Sequence, residues 1–246
     1  MKAADSTLPT ISIVIPAYNE AARIGDSVRN IARFAATLPH QTELIIVDDG
    51  STDETARVVE DLAIPNLKLL PHAPNRGKGY SVKQGALAAA GDYVLFTDAD
   101  LSAPIEEMLK LLAAALDDNL DVVVGSRALN RSFIGVHQPK MRELGGMLFN
   151  VVVRWMLGLK IYDTQCGFKL FKRSSTVAVF QKQTIDGFGF DPELLFLASR
   201  QGLRIRETAV RWNHAEGSKV RLARDAVRMF ADVVRIRWNH FTGRYS

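Results

Sequence analysis

Val94-Leu95-Phe96-Thr97-Asp98-Ala99-Asp100 runs a short apolar segment of β type directly into two aspartates one residue apart. An apolar run of this length, closed by polar residues, is the mark of a strand buried on both faces. Two carboxylates delivered at a strand end suit one divalent cation. Mg²⁺ or Mn²⁺ takes one or two protein carboxylates and fills its other positions with water and substrate phosphate. A buried pair of like charges is otherwise costly. The same residues also read as a helix N-cap with a spare, solvated aspartate, because Pro104 and Ile105-Glu106-Glu107 resemble a helix start. From this stretch alone both readings stand.

Outward from it, the first half alternates. Residues 11–15, 44–47, 67–70, 93–97 and 122–125 read as strands, and residues 21–38, 52–62, 78–90 and 105–119 as the helices between them. Near-continuous apolar strands separated by helices predict an α/β fold with a mainly parallel sheet covered on both faces. Ligands of such sheets bind beyond the carboxyl ends of the strands. The clusters Pro16-Ala17-Tyr18-Asn19-Glu20, Asp48-Asp49-Gly50-Ser51-Thr52-Asp53 and Asp98-Ala99-Asp100 each follow a strand, so all three are expected on one rim.

Beyond Arg127 the alternation breaks down. Residues 127–139 read as a polar, mobile loop, 140–159 as a mostly apolar helix, and 163–172 as leading into a short strand. Residues 192–202 read as a helix and 206–212 as a strand. The tail, 220–241, reads as an amphipathic helix. Ala223, Val227, Phe230, Val234 and Phe241 form its apolar side, and Arg221, Arg224, Arg228, Asp232 and Arg235 the opposite one. No repeat or linker interrupts the chain, so residues 1–246 read as one domain.

Composition narrows the function classes. The single cysteine, Cys166, excludes an intrachain disulfide and suits a reducing compartment. No apolar run approaches the roughly 18 residues of a spanning helix, and the N-terminus has no signal-peptide core, so a cytoplasmic protein, soluble or peripheral on a membrane, is expected. Residues 1–126 hold 10 Lys and Arg against 18 Asp and Glu, whereas residues 127–246 hold 21 against 9. That basic half calls for an anionic partner: a phosphorylated substrate, an anionic membrane surface or nucleic acid. Nucleic acid is not expected, because the basic half has no recognised motif and the acidic rim repels phosphate.

The remaining motifs are weak singly. A carboxylate of Asp48-Asp49 can accept from a nucleobase N–H or a ribose hydroxyl, with Ser51 or Thr52 capping the next helix, but an ordinary Asp-Gly turn looks the same. Tyr18 offers a ring for a base and Glu20 a carboxylate for a ribose. Asn75-Arg76-Gly77-Lys78-Gly79 lacks the spacing and hydroxyl of an ATPase phosphate loop. Its lysine and helix-start glycines can still neutralise a diphosphate.

Together, these motifs resemble the family 2 inverting glycosyltransferases of GT-A fold, the nucleotide-diphospho-sugar transferase fold with a Rossmann-like sheet. Gly125-Ser126-Arg127, Asp163-Thr164-Gln165-Cys166-Gly167-Phe168-Lys169 and residues 212–219 extend the resemblance over nearly the whole chain. Within the family the chain is most similar to polyprenyl-phosphate sugar synthases, above all the dolichyl-phosphate β-glucosyltransferases. The resemblance implies a nucleotide-sugar donor, most simply UDP-glucose, and a polyprenyl or dolichyl phosphate acceptor. GDP-mannose and a hydroxyl acceptor are the alternatives, and a homodimer is left open. It implies that residues 1–126 bind the donor and residues 127–246 face the acceptor and the cytoplasmic side of a membrane. Pro16, Ala17, Tyr18, Glu20, Val47, Asp48 and Asp49 would hold the nucleoside, with Lys78, Asp98 and Ala99 lining the donor. Asp98 and Asp100 would share Mg²⁺ or Mn²⁺ on the diphosphate. Arg127 and Lys219 would meet phosphates, with Arg127 catalytic, and Arg142 would grip the acceptor phosphate. Ser102 departs from the Gln of some mannosyl members. Asp191, where hydroxyl-using relatives keep a general base, is read as structural or helix-capping.

Overall fold

Isoleucine and valine at successive positions of the early strands leave no polar face, so helices must cover both sides of the sheet they build. The computed structural model describes residues 8–136, 140–214 and 222–245. The first half alternates as β1 (Ile11–Ala17), α1 (Ile24–Ala35), β2 (Thr42–Asp48), α2 (Thr55–Glu60), β3 (Leu67–Pro71), α3 (Lys78–Ala88), β4 (Tyr93–Thr97), α4 (Met108–Asp117) and β5 (Val122–Ser126). The second half adds β6 (Ile134–Val136), α5 (Lys140–Leu157), β7 (Phe168–Lys172), α6 (Arg173–Lys182), α7 (Phe190–Arg200), β8 (Ile205–Ala209), β9 (Trp212–Asn213) and α8 (Leu222–Phe241).

The main sheet has seven strands in the order β3-β2-β1-β4-β7-β5-β8. All neighbours are parallel except β7, which runs antiparallel between β4 and β5. Strand order reverses between β1 and β4, since β2 and β3 lie to one side of β1 and β4 to the other. In open α/β sheets a ligand crevice forms at such a point, beyond the carboxyl ends of the strands. Alternation divides the core in two. Ile11, Ile13, Ile15, Leu44, Ile46 and Leu95 pack in one cluster with α1 and α4. Val14, Ile45, Val47, Phe96 and Phe171 pack in the other with α3, α6, α7 and α8.

The structure departs from the sequence expectations at several elements. Residues 127–136 are not simply a loop: a 3₁₀ turn at Arg131–Phe133 leads into β6, which pairs parallel with β9. The strand read over 206–212 is two strands in different sheets, because Val210 N–H closes onto Ser126 O and the chain then turns away. Helix α6 has no apolar stripe in its sequence and was not legible. The expected cap by Ser51 or Thr52 is absent; Asp53 instead accepts from Thr55 N–H at 3.0 Å.

Tertiary packing sets the orientation of α8. Its inward face carries Val233, Ile236 and Asn239, all buried, together with half-buried Met229, Asp232 and His240. The polar members are satisfied there, Asn239 by Thr184 and Asp232 by the Gly189 N–H. Val227, Phe230, Val234 and Phe241, the apolar side read from the sequence, point to the exterior with Trp238, and Phe241 is 86% exposed. The helix is apolar on both sides, and only packing decides which side is covered. The side chains of Ala223 and Arg224, and Arg221 altogether, lie outside the described residues.

Candidate active site

Three loops leaving β1, β2 and β4 are stitched into one rim. Asn19 N–H donates to Ser51 Oγ at 2.9 Å, Thr52 N–H to Asn19 Oδ1 at 2.8 Å, and Glu20 N–H to Thr55 Oγ1 at 2.7 Å. Asn19 holds the left-handed region (φ +50°) that lets the strand end turn so sharply. The expected convergence of Pro16, Ala17, Tyr18 and Glu20 with Val47, Asp48 and Asp49 is therefore physical. Ala17 O accepts from Asp49 N–H at 2.8 Å, and Tyr18 is 37% exposed at the edge.

The two acids after β2 have separate tasks. Asp48 is buried and accepts from Ser51, closing the turn. Asp49 is also buried. Its carboxylate accepts from Asn75 Nδ2 at 2.9 Å and from the N–H groups of Arg76 and Gly77 at 2.8 Å each, with His72 Nε2 at 3.4 Å. Its oxygens are thus spent on the loop before α3 rather than turned toward a nucleoside. The glycines of that loop serve packing. A Cβ on Gly77 (φ +117°) would meet Asp186 O at 2.5 Å, and one on Gly79 would meet Ile185 O at 2.6 Å. The loop is clamped between Asp49 and the 185–187 segment, and this fixes where Lys78 begins α3.

Lys78 reaches the third acidic cluster. Its ammonium lies 2.6 Å from Asp98 Oδ1 and 5.2 Å above the Phe96 ring. Burial works against that charge, but Asp98, Asp191 and Asp100 overcome it and hold the lysine pKa above its ordinary value. Asp100 Oδ1 accepts from Ser102 N–H at 2.9 Å. Neither aspartate caps a helix: the residue before the 3₁₀ turn at Ile105–Glu107 is Pro104, and no side chain caps that turn. The helix-cap alternative therefore falls. Ala99 is buried, and its carbonyl accepts from Ser27 Oγ at 2.6 Å, which ties the cluster to α1. The Gly167 backbone stands against the far side of Asp98, where a Cβ would lie 2.0 Å from Oδ2.

Arg127, at the end of β5, is held by Asp163 through Nε to Oδ2 at 2.7 Å and Nη2 to Oδ1 at 2.8 Å. Its guanidinium lies 5.3 Å from the Trp212 ring centroid. Burial raises the Asp163 pKa, but Arg127 outweighs it and leaves the carboxyl below its ordinary value. Asp163 is oriented in turn by Glu207, which accepts from the N–H groups of Tyr162 at 2.6 Å and Asp163 at 2.8 Å. Arg127 thus keeps a fixed direction at the rim. Arg142 belongs to α5 but its side chain, like Lys219 as a whole, lies outside the described residues.

A further buried charge stands beside the site. Lys169 is fully buried in β7, and its Nζ donates to Asp191 Oδ1 and to Cys166 O, both at 2.5 Å. A lone lysine at an inward position of Phe168-Lys169-Leu170-Phe171 was the available signal. Asp191 lies inside the first turn of α7 and makes this ion pair rather than a cap. Burial pushes its pKa up, and Lys169 and Lys78 pull it back only in part. Cys166 is free and buried, and burial pushes its thiol up to about 12, away from the thiolate form.

Asp98 and Asp100 suit a hard divalent cation in their chemistry. Among the described residues no third His, Cys, Asp or Glu completes a metal-holding group with them. A cation held there would take most of its ligands from water and a bound diphosphate, the habit of Mg²⁺ and Mn²⁺ rather than of an all-protein cage.

Comparison with known proteins agrees with this geometry. Residues 12–180 match the family model for Glycosyl transferase family 2. A dolichyl-phosphate β-glucosyltransferase of Dictyostelium discoideum is 34% identical over 95% of this chain and 75% of its own length. The Saccharomyces cerevisiae dolichyl-phosphate β-glucosyltransferase is 34% identical over 96% of this chain and 76% of its own. Among solved structures, glucosyl-3-phosphoglycerate synthase from Mycobacterium tuberculosis, crystallised with Mn²⁺, UDP and glucosyl-3-phosphoglycerate, superposes with a TM-score of 0.66 at 22% identity. It covers 93% of this chain and 80% of that one. Mannosyl-3-phosphoglycerate synthase from Rubrobacter xylanophilus gives 0.68 at 20% identity, over 96% and 75%. The shared fold is GT-A.

Proposed function

Because the chain belongs to glycosyl transferase family 2 and is a glycosyltransferase, we propose that it moves glucose from UDP-glucose to dolichyl or a related polyprenyl phosphate, with inversion and with Mg²⁺ or Mn²⁺. The observation that supports this reading is the Lys78–Asp98 pair beside Asp100, with Arg127 in electrostatic reach of Asp98, in a chain similar to dolichyl-phosphate β-glucosyltransferases over nine-tenths of its length.

Tyr18, at the edge of the rim, stacks on the base, and Glu20 meets the ribose. Asp48 and Asp49 act from beneath, by fixing the turn and the 75–79 loop. Asp98 and Asp100 hold the cation, which, when bound, neutralises charge on the departing diphosphate. Lys78 and Arg127 add positive charge at the same leaving group and the acceptor phosphate, with Arg142 and Lys219 assigned to that acceptor side.

The nucleophile favours lipid phosphate over a hydroxyl. A phosphate monoester has its second pKa at about 6, so at pH 7 it is mostly a dianion and needs no base. Asp191, the acid positioned for base work, is buried and bound to Lys169. A hydroxyl acceptor would be left without a proton acceptor there.

The acceptor also needs a membrane. Among the described residues no helix is long and apolar enough to cross one. The outer faces of α5 and α8 nevertheless expose Leu148, Val151 and Trp155, and Phe230, Trp238 and Phe241, with Arg228, Arg235 and Arg237 also exposed on α8. Aromatic and basic side chains on exposed helix faces suit peripheral binding in an anionic interface, and we assign this side to the cytoplasmic membrane face. A panel of UDP- and GDP-sugars, with polyprenyl phosphate and either metal, tests the reading. UDP-glucose should be transferred and EDTA should stop it. Transfer confined to GDP-mannose would overturn the glucosyl assignment.

A further inference from the structure

The Lys78 ammonium lies 2.6 Å from Asp98 Oδ1, on a carboxylate that the Gly167 backbone crowds from another side. A divalent cation that uses Asp98 competes with Lys78 for the same carboxylate. Two cations cannot share it without strong repulsion at such range.

The surroundings allow Lys78 to leave. It stands at the first position of α3, where the clamp on Gly77 and Gly79 fixes the backbone while the four-carbon stem remains jointed. Of its other acidic neighbours, Asp191 has its own buried partner in Lys169, and Asp100 would join Asp98 on the cation. Withdrawing Lys78 therefore leaves no carboxylate in the interior unpaired, which would be the costly outcome.

We propose that Lys78 is an internal counter-ion that competes with the divalent cation for Asp98 and passes to the donor's diphosphate when the cation binds, so that cation and nucleotide load as a coupled pair. This rests on the donor and cation reading above. The cation alone meets a site already neutralised by the ammonium. A nucleoside diphosphate offers Lys78 a new partner and adds oxygens to the cation, so each ligand promotes the other, and reciprocally.

Titration of the full-length chain with Mn²⁺, read by electron paramagnetic resonance with and without UDP, tests the proposal. Without UDP, Lys78→Met and Lys78→Gln should bind Mn²⁺ on the order of tenfold more tightly than wild type, as expected from removing one positive charge beside the ligand oxygen. Lys78→Arg, which keeps the charge, should bind as weakly as wild type. UDP should tighten Mn²⁺ binding by a larger factor in wild type than in Lys78→Met. If the neutral variants bind Mn²⁺ no more tightly than wild type while Asp98→Asn abolishes binding, the competition is refuted and the cation site stands. If Asp98→Asn and Asp100→Asn leave Mn²⁺ binding unchanged even with UDP, the cation site itself falls, and the proposal with it.

Discussion

Replacing Gly167 with alanine isolates the placement of Asp98 from its chemistry. The added Cβ would lie 2.0 Å from Asp98 Oδ2, 2.5 Å from Cγ and 2.8 Å from Oδ1. Carbon and oxygen do not approach within about 3 Å without overlap, so the carboxylate or the 164–167 loop must retreat by roughly 1 Å. Overpacking of this kind costs about 1–3 kcal/mol of stability, which the fold survives. A displacement of ~1 Å at a reacting centre costs on the order of 10²-fold in rate. Gly167→Ala should therefore lose about two orders of magnitude in kcat/KM for sugar transfer, and Mn²⁺ affinity with it, while unfolding cooperatively. Gly146→Ala, where a Cβ meets nothing within 4 Å, is the matched control and should be silent. Gly167→Ala with activity within severalfold of wild type would refute the claim that this glycine sets the position of Asp98.

The buried pair makes a second prediction. Asp191→Asn or Lys169→Met alone should destabilise by about 3–5 kcal/mol in chemical denaturation, and the double variant should recover much of that. Asp191→Asn should also keep most of its turnover where it is folded, whereas a base-dependent enzyme would lose orders of magnitude. In acid, Asp163 has its folded pKa below the ordinary 3.8, so its stabilisation is present above that value and is lost as pH falls through the folded pKa. Stability of Asp163→Asn measured below pH 4 should accordingly fall less steeply than that of wild type. Trp155→Ser with Trp238→Ser should cut flotation with anionic vesicles and leave the unfolding midpoint nearly unchanged, because these rings are 83% and 65% exposed. Unaltered flotation would remove α5 and α8 from the membrane side.

The fold was legible where both faces of a strand are buried. Residues 11–15 and 93–97 carry their assignment in runs that are apolar except for Ser12 and Thr97, and the acids that follow them mark the rim. Legibility failed where tertiary packing chose between equal local options. Helix α8 has apolar residues on two sides, and only the fit of Val233 and Ile236 against the second core cluster decides which is covered. The antiparallel entry of β7 between β4 and β5 is likewise a property of the assembled sheet. At the site, Asp98 and Asp100 are legible in the sequence because only Ala99 separates them. The Lys169–Asp191 pair was missed because its members are 22 residues apart in the chain. Asp49 was correctly placed on the rim, yet its carboxylate serves the 75–77 loop, a task visible only once Asn75 and Gly77 are folded beneath it.

The central claim is sugar transfer to a lipid phosphate at Asp98 and Asp100, and its most direct test is radiolabel transfer from UDP-glucose to dolichyl phosphate in the organic phase. The wild-type chain should yield a β-linked glucosyl lipid with Mg²⁺ or Mn²⁺. Asp98→Asn and Asp100→Asn should each lower the rate by orders of magnitude without loss of fold. Undiminished lipid labelling in those variants or in EDTA, or none from the wild-type chain, would contradict the account.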